Sequence, residues 1–349
     1  MITISMTRKA SSDGAWCRGI VGDVSRTFAI GIERMPEPWN DHVGVPYLLC
    51  RIPDTIEDDR NIPFQQKQEL LESYHRLLSR STRGANACEE FVERASAWRG
   101  HDACWELVMN TPRVFRVFET FPPEIHESVE RHLREMVAGM REFILRYENR
   151  IRIATLPEFS RYCYYVAGTV GMMLTGIFSL WHRFDDDTRL LLESRAVDFG
   201  ESLQAVNILK DVFIDFENED NIYIPSSVLE KHGTSHARMF EDRQAATKAM
   251  DELIEHAVAK LESARQYIES LPVEATAARD FCIVPYLLAV RTVNALNRNR
   301  DRLMTPSPVK ISRVEVLAIL THVPECIRNN DYLRFISRRA LTEPRFKCA

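Results

Sequence analysis

Apolar residues recur at three- and four-residue intervals through nearly every long segment of this chain, with polar residues on the opposite face. The stretches 64–78 (FQQKQELLESYHRLL), 125–147 and 250–271 show the pattern plainly. That period belongs to a helix with one buried stripe, and the alternation of a half-buried strand is hard to find. Prolines mark most of the joints: Pro36, Pro38, Pro63, Pro112, Pro122, Pro123, Pro157, Pro225, Pro272, Pro306 and Pro308. A proline lacks the N–H that a helix interior needs, so these residues cut the pattern into pieces one or two helices long. Only 13 glycines occur in 349 residues, and no Gly/Ser linker, repeat or low-complexity tract offers a domain cut. The chain therefore reads as all-α and as a single domain over residues 1–349.

The formal net charge of −5 gives no general attraction for polyanions, so no nucleic-acid partner is expected. The late cluster Arg298, Arg300 and Arg302 reads as a solvated helix end, with a phosphate-binding patch as the alternative. Eight cysteines are scattered without a CxxC pair, and no apolar leader precedes them. That usage fits reduced thiols in the cytoplasm rather than a disulfide framework or a zinc site. Residues 164–181 (YYVAGTVGMMLTGIFSLW) are eighteen uncharged positions, the lower limit for a bilayer span. They include three glycines, two threonines and a serine and have no companion span. A buried central helix is expected there, ahead of a membrane span or a partly membrane-facing helix.

Two stretches carry charge where the surroundings are apolar. In RIPDTIEDD (51–59) four carboxylates fall within six residues, directly after VPYLLC. Asp54 and Asp58 are one helical turn apart and share a face, which Glu57 borders; Glu57 and Asp59 read as supporting or solvated. Pro53 cannot donate to the carbonyl of Leu49, which predicts a kink or local unwinding just before Asp54. In GESLQAVNILKDVFID (200–215), Gln204, Asn207, Asp211 and Asp215 follow at intervals of 3, 4 and 4, one stripe on an otherwise apolar helix. That stripe is either a satisfied polar network at a core rim or the lining of a cavity.

If the two stripes face each other, their charges cannot stand alone. Two like charges 4 Å apart repel by about 4 kcal/mol at an effective dielectric near 20. Oxygen-only donors on helices then favour Mg²⁺, which keeps ligand positions for phosphate oxygens. A diphosphate substrate is the natural third party. Arg26, Arg51 and Lys210 stand near the acids as phosphate contacts or as local ion-pair partners. Gly168 and Gly171, three apart, either open room for a flat apolar ligand or let two helices pack closely.

Together these motifs resemble those of the squalene and phytoene synthases. The matches run in order: SRTF (25–28), YLLCR (47–51) leading into DTIEDD (54–59), YCYYVAG (162–168) with Gly171, QAVNILKD (204–211) with Asp215, FCIVP (281–285) and VKI (309–311). They cover about residues 20–311, and the wording is closer to squalene synthase. The resemblance implies an isoprenoid-synthase helical fold with a central cavity. It implies that Asp54, Asp58, Asp211 and Asp215, with Asn207, hold Mg²⁺ ions that bind two diphosphates. Ser25, Arg26, Tyr47, Arg51, Gln204, Asn207 and Lys210 would contact substrate, Phe28 and Phe281 would flank cationic intermediates, and Tyr165 would relay a proton.

The implied activity is head-to-head condensation of two farnesyl diphosphates, through presqualene diphosphate, to squalene or a related C30 product. A phytoene synthase using geranylgeranyl diphosphate and a terpene synthase with another product are the alternatives within the fold. Outside it stands a non-catalytic helical scaffold whose acidic stripes are surface faces. NADPH would donate hydride in the squalene synthases. Three departures stand out: Pro53 replaces an aliphatic residue, Lys210 stands where Arg is usual, and 216–225 (FENEDNIYIP) lacks the Gly-Arg of relatives. The missing Arg speaks against the second half-reaction and its NADPH. No run of about 20 apolar residues follows Ile311, so no membrane anchor is expected. A cytoplasmic chain in transient membrane contact, for release of a long-chain product, is the resulting expectation.

Overall fold

The computed structural model describes residues 12–81, 83–148 and 150–347, with Arg26 described in its backbone only. The first half holds α1 (Asp13–Val24), α2 (Arg26–Glu33), α3 (Trp39–Asp58), α4 (Phe64–Leu77), α5 (Ala87–Ala95), α6 (Ala103–Met109), α7 (Thr111–Phe118) and α8 (Pro123–Tyr147). Next, α9 (Leu156–Cys163) passes through a π-turn at Tyr164–Gly168 into α10 (Thr169–His182). The chain closes with α11 (Asp186–Glu219), α12 (Ser226–Lys231), α13 (Arg243–Ser270), α14 (Thr276–Arg298), α15 (Arg313–Arg328) and α16 (Asn330–Thr342). Among the described residues no strand forms, and the β-type pairing between Arg152 and Ile222 is an isolated bridge. The all-α expectation holds.

Many of the prolines sit where a missing N–H costs nothing. Pro63, Pro122 and Pro225 precede helices, and Pro112 and Pro157 occupy first turns. Pro53 is different, because α3 runs through it without the expected unwinding. The carbonyl of Leu49, which residue 53 would normally satisfy, instead accepts the Tyr74 hydroxyl of α4 at 2.6 Å. Leu49 and Tyr74 are both fully buried, so no water substitutes for that bond.

The long helix α11 packs along α13 on one side and against α10 and the π-turn on the other. A Cβ at Gly171 would overlap the Ala196 carbonyl oxygen, and one at Gly200 the Ala167 carbonyl oxygen. Gly171 thus serves close helix packing, not ligand space. The apolar segment Leu156–His182 is half buried, packed against α8 and α11. At the C-terminal end the buried Arg279 and Arg291 of α14 tie in α15 and α16. Arg279 donates to Ile327 O at 2.7 Å, and Arg291 to Glu315 Oε1 at 2.8 Å and Ala340 O at 3.1 Å. One hydrophobic cluster extends from Cys17 to Phe346.

Candidate active site

The last turns of α3 bury Leu48, Leu49, Ile52 and Ile56 and leave Asp54 and Asp58 on the remaining face. The Arg51 guanidinium lies 3.7 Å from Asp54 Oδ2 and 3.8 Å from Asp58 Oδ2, an ion pair with each and a hydrogen bond to neither. Its Nη2 donates to Cys104 Sγ at 3.5 Å, while its buried Nε has no partner. Burial pushes the Asp54 carboxyl up to about 7, with Arg51 opposing and Asp58 adding to the rise. Asp58 is raised for the same first reason. Yet the Asp54 and Asp58 side chains keep 28% and 33% of their exposure. Both therefore lie in a crevice, reached by water but ringed by protein.

On α11 the expected stripe forms. Ala205, Val206, Ile208, Leu209 and Val212 are buried, Gln204, Asp211 and Asp215 are half-buried, and Asn207 is exposed. The stripe is therefore open to solvent rather than a satisfied internal network. Lys210 Nζ sits 2.8 Å from Asp211 Oδ2. Burial, then the charges of Asp211 and Asp58, lift Asp215 to about 8, with Lys210 opposing. Asp58 is on α3, so the two acid-bearing helices come near enough for their charges to act on one another, although among the described residues no three His, Cys, Asp or Glu side chains cluster as a ready-made metal site. Just beyond them Arg60 Nη1 donates to Glu217 O at 2.6 Å and clasps the two helix ends together.

Behind the clamp lies a buried network that the sequence pattern did not reveal. Lys67 of α4, 3% exposed, donates from Nζ to the Glu57 carbonyl at 2.6 Å. The Tyr162 hydroxyl reaches Glu57 Oε1 at 3.4 Å and the Tyr223 hydroxyl at 3.2 Å, with the two rings stacked 4.6 Å apart. Asn221 Nδ2 donates to Tyr223 Oη at 3.1 Å and to Glu219 Oε2 at 3.3 Å. Burial, then Asp58 and Asp215, raise Glu219 to about 10, and burial holds Glu57 well above the carboxylate range. Lys67 had one visible signal: it stands on the apolar stripe of its own helix, between Phe64 and Leu71. Asp59 is a supporting residue, accepting Trp105 Nε1 at 3.1 Å and Asn61 N at 2.8 Å.

Beside the clamp the predicted aromatic residues gather. Ser25 caps α2, its Oγ accepting Phe28 N at 3.1 Å. Phe28 lies 5.5 Å from Tyr47 and stacks at 6.4 Å on Phe281, which meets Phe178 at 6.1 Å. Burial pushes the Tyr47 hydroxyl up to about 12, and the charges of Arg51 and Asp54 also act on it, which places this group next to the acids. The Arg26 side chain lies outside the described residues.

Among the described residues no hydrogen bond ties Tyr165 to the clamp. Its ring fills the space that a Cβ on Gly139 would occupy, and its hydroxyl donates to Glu142 Oε2 of α8 at 3.3 Å. The π-turn re-aims the side chains of residues 164–168 relative to α9 and α10, a local device frequent at functional sites.

The squalene/phytoene synthase family profile matches residues 21–315. Among curated relatives, the chain is 27% identical over 293 residues to the Botryococcus squalene synthase of Botryococcus braunii, covering 82% of this chain and 58% of that one. It is 25% identical over 312 residues to the squalene synthase of Schizosaccharomyces pombe (88% and 64%). It is 29% identical over 298 residues to that of Dictyostelium discoideum (81% and 64%). The chain thus spans 58 to 64% of the length of these relatives. Among solved structures, TcSQS with the ligand BPH1237 superposes with a TM-score of 0.79 at 24% identity, over 97% of this chain and 94% of that one. A dehydrosqualene synthase in complex with ligand gives 0.58 at 18% identity, over 90% and 96%. At these identities the structural likeness is one of fold.

Proposed function

Because the chain belongs to the squalene/phytoene synthase family, we propose that it is a Mg²⁺-dependent prenyltransferase. In this reading it joins two farnesyl diphosphates head to head, through presqualene diphosphate, to squalene or a closely related C30 product. The observation that supports the reading is the nearness of the two acid-bearing helices: the charge of Asp58 on α3 acts on Asp215 of α11, and Arg60 donates to Glu217 O. Burial, then the charges of Asp211 and Asp58, raise Asp215, so ionised carboxylates here call for a cation beside them.

The donor set suits Mg²⁺: these four carboxylates and the exposed amide of Asn207 supply oxygen only, and each stays partly accessible. Bound there, Mg²⁺ would neutralise a diphosphate and make it a better leaving group. Arg51, whose Nε is unpartnered, and Lys210 would hold phosphate oxygens from opposite sides. Phe28, Tyr47 and Phe281 would turn ring faces toward developing positive charge and exclude water from it. We assign Tyr165 Oη as the group that moves the proton lost on cyclopropane formation, with Glu142 as its acceptor.

One observation favours a product formed without hydride. The stretch 216–225 lacks the Gly-Arg that the resemblance leads one to expect, and within it Asp220 takes a left-handed conformation (φ 58°) held by Arg152 at 2.6 Å and Arg150 at 3.4 Å. An acid thus borders the clamp where a phosphate-binding cation would serve reduction by NADPH. The deciding experiment gives the protein farnesyl or geranylgeranyl diphosphate with Mg²⁺, with and without NADPH, and identifies the hydrocarbons by mass. Squalene formed only with NADPH supports the first reading, and a C30 product indifferent to NADPH supports the second. A C40 product shifts the assignment to phytoene synthesis, and no product from either substrate sinks the proposal.

A further inference from the structure

After α14 the chain turns through residues 299–312 into α15, and five exposed cations gather along the way: Arg298, Arg300, Arg302, Lys310 and Arg313. Two carboxylates share the segment: Asp301 is exposed between Arg300 and Arg302, and Glu315 is turned inward, accepting Arg291 Nε at 2.8 Å and Ser312 N at 2.9 Å. Arg300 pairs with Asp251 of α13 at 3.0 Å. Arg298 donates to the Pro344 carbonyl, and Arg302 reaches Ser307 Oγ at 3.1 Å but no acid. Among the described residues Arg298, Arg302, Lys310 and Arg313 have no carboxylate partner.

Directly beside these cations α15 presents Val314 at 71% and Leu317 at 62% exposure. They are three apart and share one face, while Ala318, Ile319, Val323 and Cys326 pack inward. Lys310 and Arg313 lie within four residues of Val314, so at most about 14 Å of backbone separates charge from aliphatic side chain. The inner side of the same loop, at Leu303, Met304 and Val309, meets Leu209, Lys210 and Phe213 of α11. The loop therefore rests on the helix that carries Asp211 and Asp215.

We propose that the surface formed by residues 298–317 docks on an anionic lipid bilayer. Its guanidinium and ammonium groups meet headgroup phosphates, and Val314 and Leu317 enter the interface. A free phosphate or a nucleic acid rewards the cations but leaves two exposed aliphatic side chains in water, whereas an anionic bilayer rewards both. The chain's net charge of −5 gives no general attraction for an anionic surface. Docking there sets lipid beside the rim of the acidic crevice. The exit route this offers an apolar product rests on the proposed function; the docking does not.

The test is co-sedimentation of the full chain with sucrose-loaded vesicles, either phosphatidylcholine alone or with about 30% phosphatidylglycerol. Binding to the anionic vesicles only is expected, weakening as salt rises. The double variant Arg302→Glu, Arg313→Glu should lower it at least about tenfold. Leu317→Ser should lower the binding that survives salt. The inference is overturned if the protein ignores anionic vesicles or binds neutral ones equally. It is also overturned if the charge-reversed variant, shown folded by circular dichroism, binds like the parent, or if Leu317→Ser instead breaks a dimer in sedimentation velocity.

Discussion

Replacing Tyr74 by Phe removes a single oxygen from the core, and the structure says which group would miss it. The Leu49 carbonyl accepts that hydroxyl at 2.6 Å because its ordinary helical donor is the ring nitrogen of Pro53. Leu49 and Tyr74 are each 0% exposed, so water cannot take over. An orphaned buried acceptor costs about 1–3 kcal/mol, and Phe leaves almost no cavity to add to it. The sharper form is a cycle with Pro53→Ala, which restores an N–H four residues after Leu49. In that background Tyr74→Phe should cost at least about 1 kcal/mol less than in the parent, a coupling that distant sites do not show. Urea unfolding of the four proteins, followed by circular dichroism, measures it. Equal costs for Tyr74→Phe in both backgrounds would refute the idea that the tyrosine stands in for the missing proline donor.

Gly171→Ala should destabilise by about 1–3 kcal/mol or more, because the new methyl meets backbone on α11 that cannot swing away. Gly19→Ala, on an exposed helical position with nothing within 4 Å, should instead stabilise by about 0.5–1 kcal/mol; thermal unfolding of the pair checks both signs. Without divalent cations the folded state raises Asp54 to about 7 and Asp215 to about 8, so it holds protons that the unfolded chain has released. Their contribution to stability is complete below the unfolded carboxylate pKa near 4 and is lost as pH rises through 7 to 8. Added Mg²⁺ should flatten that fall; a stability profile from pH 5 to 9 unchanged by Mg²⁺ would argue against these assignments. Near pH 6, Mg²⁺ binding should release protons, seen by calorimetry in two buffers of different ionisation enthalpy.

The helical architecture was legible because α4, α8 and α13 each carry a clean apolar stripe, and because prolines stand at so many of their starts. The polar stripe of α11 was legible for a related reason: an acid or amide every three or four residues is costly to place anywhere but an accessible face. What the pattern did not show depends on contacts between distant segments. Lys67 stands out on the apolar stripe of its helix, but its partner, the Glu57 carbonyl, comes only with the packing of α4 against α3. Tyr223 and Asn221 follow α11 in a stretch without period, and their roles come from Tyr162 and Glu219, which the fold brings to them. Of the kink or unwinding expected at Pro53 the unwinding does not occur, and a local rule about donors could not show that the Leu49 carbonyl finds Tyr74, twenty-one residues on from the proline. The glycines of the apolar segment permitted two readings, and only the carbonyl of Ala196 against Gly171 decided between them.

The central claim is that Asp54 and Asp58 on α3 and Asp211 and Asp215 on α11 form one cation-dependent anion site. Calorimetric titration with inorganic diphosphate tests it without any assumption about prenyl chains or products. Binding should require Mg²⁺, and Asp54→Asn and Asp211→Asn should each weaken it at least about thirtyfold while the fold persists. The double variant should lose little beyond either single one, since either loss opens the same clamp. Diphosphate binding that ignores Mg²⁺, or parental affinity in either single variant, would contradict the account.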